Sequence, residues 1–159
     1  MQLYDILFNN NVYIVKKNNM IQRIQTLYIL GGALSVLTGS FCFPYFECDN
    51  PSINVYIFDQ YLGFFWLLVF LVFSVLAFLK FKNRKQQLYY INGNILGIIF
   101  LIVFVYSYYF YLDFFLHLKL YVVNSIFTIS LSIGLFSFLL ARRAIQKDED
   151  LINSINRIR

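Results

Sequence analysis

The chain has 159 residues, of which 60% are hydrophobic, 21% aromatic and only 13% charged. Soluble domains carry about 25% charged residues, so this shortage of charge, with the apolar residues gathered into long runs, excludes a water-soluble globular enzyme. The net charge of +5 comes from Lys and Arg placed beside those runs, which points to membrane lipids as partners and away from nucleic acid.

A helix crossing about 30 Å of hydrocarbon needs about 20 apolar residues, and four segments meet that requirement. In chain order, residues 1–19 read as an N-terminal extension, in which Leu3, Tyr4, Ile6, Leu7 and Phe8 suit a short interfacial helix. A first span is predicted over about 24–43 and a second over about 61–79. A third follows over about 95–112 and a fourth over about 118–141, leaving a tail at 142–159. The region before the first span is too long for a cleavable signal, and the run itself is of spanning length, so it reads as a true span.

Basic residues set the expected orientation. Lys16, Lys17 and Arg23 precede the first span; Lys80, Lys82, Arg84 and Lys85 lie between the second and third; Arg142, Arg143, Lys147, Arg157 and Arg159 follow the fourth. Twelve of the 13 Lys and Arg therefore fall on one side of an even-span topology, leaving Lys119 on the other. Cytoplasmic loops keep such residues, so both termini are expected in the cytoplasm, with the protein in the bacterial inner membrane. The outer loops carry Glu47, Asp49 and Asp59, then Asp113 and His117 in a very short second connection. Tyr61, Phe64, Phe65, Trp66, Tyr106, Tyr108, Tyr109 and Tyr111 gather near this outer boundary and read as an aromatic belt.

Two stretches frame the spans: Met20-Ile21-Gln22-Arg23-Ile24-Gln25-Thr26-Leu27-Tyr28, and Arg142-Arg143-Ala144-Ile145-Gln146-Lys147-Asp148-Glu149-Asp150 closing on Asn156-Arg157-Ile158-Arg159. With four spans between them, the chain resembles the Bacteroidota membrane-protein family called domain of unknown function 4293. The resemblance implies a small inner-membrane protein and no particular activity. It also implies a start at the Met20 motif, so translation from Met20 is expected, with residues 1–19 untranslated or disordered. The family closes on an acidic residue before Arg, where this chain has Asn156.

Several constellations of residues bear on chemistry. Cys42 and Cys48 are the only cysteines, both near the outer end of the first span. They suit either a structural disulfide or two free thiols; a thiol oxidoreductase would need a closer pair and a second pair to relay electrons. His117 is the only histidine, so neither a bis-His haem nor a zinc site can be built within one chain, and no cofactor is expected. The spans lack charged residues at depth, which counts against pumps and proton-coupled transporters.

Gly93 with Gly97, and Ser130 with Gly134, have the small-x-x-x-small spacing that lets helix backbones approach; Gly31 with Ser35 repeats it in the first span. Asn124, Ser125, Thr128 and Ser132 form a polar stripe on the fourth span. On a helical wheel, Ile145, Leu151, Ile152, Ile155 and Ile158 share one arc, interrupted by Asp148. The fourth span is therefore expected to continue into, or bend toward, an amphipathic helix in the cytoplasm. Its apolar face would lie on the bilayer, dock on the chain's own loop at 80–87, or receive a protein partner.

The expected fold is all-α, an antiparallel four-helix transmembrane bundle with a cytoplasmic C-terminal amphipathic helix. The expected role is a non-catalytic scaffold or accessory subunit of an envelope complex, with an unidentified membrane or cytosolic protein partner. A transporter or channel component lined by the polar stripe is the first alternative. A thiol oxidoreductase using Cys42 and Cys48 is the second.

Overall fold

A computed structural model describes residues 24–48, 54–57, 61–81, 83–116 and 121–157. Residues 1–19, the acids Asp49 and Asp59, His117, Lys119 and Ile158 lie outside them. Four helices are long and apolar enough to cross a membrane. Helix α1 is Ile24–Cys42 among the described residues. Helix α2 is Tyr61–Leu79, α3 is Arg84–Leu116 and α4 is Ser125–Arg157. Strand β1 (Phe46–Cys48) follows α1, and strand β2 (Tyr121–Val123) precedes α4.

The bundle is apolar on its outside as well as in its core, and a few polar residues are buried within it. Leu27, Leu34, Phe65, Val72, Leu96, Phe100, Ile129 and Phe136 face outward, while Gln25, Ser40, Ser74, Gln87, Asn94 and Asn124 are buried. Such a surface is stable only where the surrounding medium is hydrocarbon. The core itself is built from Ile29 and Val36 of α1, Phe70 and Ala77 of α2, Ile91 and Ile98 of α3, and Phe127, Leu131 and Phe138 of α4.

Neighbouring helices meet in several ways. The tightest approach is between α1 and α4, where a side chain at Gly39 would run into Ser130 and one at Gly134 would run into Val36. Helices α2 and α3 are tied by Trp66, whose Nε1 donates to the Gly97 carbonyl at 3.2 Å. Gly93 of the same stripe lies under the Phe73 ring, 2.6 Å from where a Cβ would sit. The Phe70 and Phe138 rings meet edge-on at 5.9 Å and join α2 to α4.

Two differences from the sequence reading have physical causes. Helix α3 starts at Arg84, well before the apolar run, because Asn83 caps it: its Oδ1 accepts from Gln86 N at 3.4 Å. Helix α4 starts at Ser125, not near residue 118, because Tyr121–Val123 pair with β1 instead. Asn124 then caps the helix, its Oδ1 accepting from Phe127 N at 2.9 Å. The connection between α3 and α4 is therefore not a bare turn but carries a strand. Of the two courses expected for the tail, continuation is the one found: α4 runs unbroken from Ser125 to Arg157.

At the loop end, β1 and β2 form an antiparallel pair with Phe46 opposite Val123, Glu47 opposite Val122 and Cys48 opposite Tyr121. Val55 adds a bridge on the other side of Phe46. This strand clip covers one end of the bundle; the opposite end carries the α2–α3 turn and the last turns of α4.

Candidate functional site

Each end of the bundle holds a polar knot, and a third lies between them. At the clip end, Asn124 joins three elements. Its side-chain amide donates to a Glu47 carboxylate oxygen on β1, its backbone N donates to the Tyr45 carbonyl at 3.1 Å, and its side-chain oxygen caps α4. The fully buried Phe46 packs below, against Tyr108 at 5.8 Å and Tyr109 at 6.4 Å. Those two tyrosines are thus partly absorbed into the cap of the bundle, whereas Tyr61, Phe64, Phe65, Tyr106 and Tyr111 stay exposed.

The middle knot joins α2 and α3. Ser74 Oγ donates to the Phe70 carbonyl at 2.9 Å, and Asn94 Nδ2 donates to Ser74 Oγ at 3.2 Å. The buried Asn94 Oδ1 has no hydrogen-bond partner among the described residues. This pair holds the weak helix formers Asn92, Gly93 and Asn94 inside α3, where propensity alone would oppose them.

The third knot, at the other end, is ionic. Arg84 Nη1 lies 2.6 Å from Asp148 Oδ2, with the Asp148 side chain 5% exposed and that of Arg84 20%. The contact is close in distance but is not aligned as a hydrogen bond. Beside it, Gln25 Nε2 donates to the Ala144 carbonyl at 3.3 Å and brings α1 to the same level. Ile145, one turn from Asp148, is fully buried, as is Ala141. The first turn of α3 and the stretch of α4 that ends at Asp148 therefore close on each other.

The candidate residues read from the sequence fall as follows. Gly93, Gly97, Ser130 and Gly134 all lie at helix–helix contacts. Gly31 faces open space, and its neighbour Gly32 instead meets Ser137 and Phe138. Cys42 is an exposed free thiol at the end of α1. Cys48 sits in β1, where backbone pairing holds its segment; its side chain is outside the described set. The polar stripe of α4 bonds to its own helix: Thr128 Oγ1 donates to the Asn124 carbonyl at 3.1 Å and Ser132 Oγ to the Thr128 carbonyl at 2.9 Å. Ser125 and Ser132 face outward rather than toward a shared path. Of the tail arc, Ile145 is buried in the bundle. Leu151, Ile152 and Ile155 are helical, but their side chains, like Ile158 itself, lie outside the described set. Among the described residues no three His, Cys, Asp or Glu side chains converge as metal ligands.

Sequence reasoning did not find Glu47 with Asn124, Asn94 with Ser74, or Arg84 with Asp148. Only the last left a local signal, an acidic residue inside an apolar arc. What these knots can do is hold shape, since each ties different elements of the bundle together.

A family model described as "Domain of unknown function (DUF4293)" matches residues 21–158. Among curated proteins and among solved structures, none matches the chain.

Proposed function

The chain belongs to the family of domain of unknown function 4293, and from that premise we propose that it is a non-catalytic scaffold or accessory subunit of a bacterial inner-membrane complex. One observation carries this reading. Helices α3 and α4 have 33 residues each, about 50 Å at 1.5 Å per residue, or about 20 Å more than the hydrocarbon layer. In this proposal the excess stands at the end that bears Arg84 and Asp148, where the polar residues of both helices gather, and that ion pair clamps the two helices together. A clamped helical pair standing clear of the bilayer offers a shape to bind.

In this proposal both termini and the projecting pair are cytoplasmic, because 12 of the 13 Lys and Arg fall on that side. The proposed partner contact is the end of α4, where Leu151, Ile152 and Ile155 share one helical-wheel arc in the sequence, since Ile145 is already taken up inside the bundle.

The test is to tag the chain after Arg159 in its native host, cross-link in intact cells, extract in mild detergent, and identify what co-purifies. One stoichiometric partner is expected, and a paired charge reversal of the exposed Arg143 and Lys147 should leave the bundle folded and lower the partner's recovery. Recovery of the chain alone after cross-linking would overturn the proposal.

A further inference from the structure

Beside the Trp66–Gly97 hydrogen bond, on its clip side, a half-enclosed groove of about 310 Å³ lies between α2 and α3. Phe65 and Trp66 form one wall and Phe100 and Phe104 the other. The Phe100 and Phe104 rings are stacked at 6.4 Å, and Tyr108 continues the stack at 6.3 Å, so this wall is a flat aromatic ladder along α3. The buried Leu101 and Val105 make the floor, and Tyr45 and Ile57 of the clip segments close the top.

Two occupants are eliminated by the chemistry of the walls. An ordered water needs two to four polar partners. The lining is almost entirely carbon, and the indole N–H of Trp66 is already committed to Gly97. An empty groove would forfeit dispersion contacts on one side of every lining atom, and here the open side belongs to helices that cross a membrane. Its volume is at the small end of the range for ligand pockets, about 300–1,000 Å³, which suits a slender chain rather than a ring system or a headgroup.

We propose that this groove binds one hydrocarbon chain of a membrane lipid, which enters from the leaflet at the clip end and lies along the aromatic ladder of α3.

Trp66 is the only tryptophan in the chain and sits in the groove wall, so its fluorescence reports the site directly. The full-length protein in unbrominated detergent is titrated with a lysophosphatidylcholine carrying a dibrominated acyl chain, whose bromines quench indole on contact. Quenching is expected to saturate near one chain per protein. Val69 lines the same groove, and Val69→Phe, which fills it, should weaken the apparent affinity about tenfold. The proposal is overturned if quenching rises only in proportion to the brominated fraction without saturating, which is ordinary surrounding lipid. Absence of quenching also overturns it, since the groove is then closed by another part of this chain or by a protein partner. Should Val69→Phe fail to fold, native mass spectrometry of the unaltered protein decides: one retained lipid per chain supports the site, and release of bare protein under conditions that keep it folded counts against it.

Discussion

Asp148 is the buried carboxylate among the described residues, and its partner Arg84 starts a different helix. Removing one member of a buried ion pair strands the other charge, at a typical cost of about 3–5 kcal/mol. Arg84 keeps partial access to solvent, so Asp148→Ala should fall at or below the lower end of that range. Thermal unfolding in detergent, followed by circular dichroism, reads the loss. The double variant Arg84→Met with Asp148→Leu should recover most of it, because an apolar pair of similar volume avoids the desolvation penalty. If the double variant is no better than the single one, the pair contributes more than charge compensation. Asn124→Ala should cost about 1–2 kcal/mol through its cap alone, and Asn124→Ser should restore part of that while leaving Glu47 unpaired. The sequence showed Asp148 as an interruption in an apolar arc, and that position is what buries it. Which cation meets it was not legible, because Arg84 lies on another helix and no periodicity links the two.

At the scale of elements, the glycines of α1 differ sharply although they are close in sequence. Gly39 faces α4 and leaves no room for a methyl group, whereas Gly31 has nothing near the position of a Cβ. Overpacking costs about 1–3 kcal/mol, so Gly39→Ala and Gly134→Ala should each destabilise the bundle by roughly that amount. Gly31→Ala should be neutral or stabilising by up to about 1 kcal/mol, the helix-propensity gain. Equal effects at Gly31 and Gly39, measured in the same detergent, would show that the α1–α4 contact is not as described. Small-residue spacing was visible in the sequence, but the contacting face of α1 was not: an apolar helix surrounded by lipid carries no polar side to mark its outside. The strand clip escaped for a related reason. Tyr121–Val123 are as apolar as the span they precede, and only pairing with the distant Phe46–Cys48 makes them a strand.

For the whole molecule, the number of spans was legible because it rests on one-dimensional lengths matched to the thickness of a bilayer. Their ends were less so, since capping by Asn83 and Asn124 sets them, not hydropathy. Orientation is the matching prediction at this scale. In a Cys48→Ser variant, the exposed Cys42 is the only thiol left. A membrane-impermeant maleimide should label it in intact spheroplasts. Labelling only after permeabilisation would invert the proposed topology. The knots at the two ends could not be read from one sequence at all, because each is a contact between segments that share no local pattern.

The tightest pair of helices, α1 and α4, is also the pair farthest apart in the chain. Gln25 and the Ala144 carbonyl it meets are 119 positions apart. At roughly 5–20 residues per second of synthesis, α1 sits in the bilayer for about 6–24 seconds before its counterpart emerges from the ribosome. During that interval the notch at Gly39 faces lipid, the insertion machinery or a neighbouring nascent chain. A chain cut short after Leu116 would keep that notch open for good, so quality-control proteases should clear it far faster than the full-length protein, while Gly39→Leu should lengthen the fragment's half-life in a pulse–chase experiment.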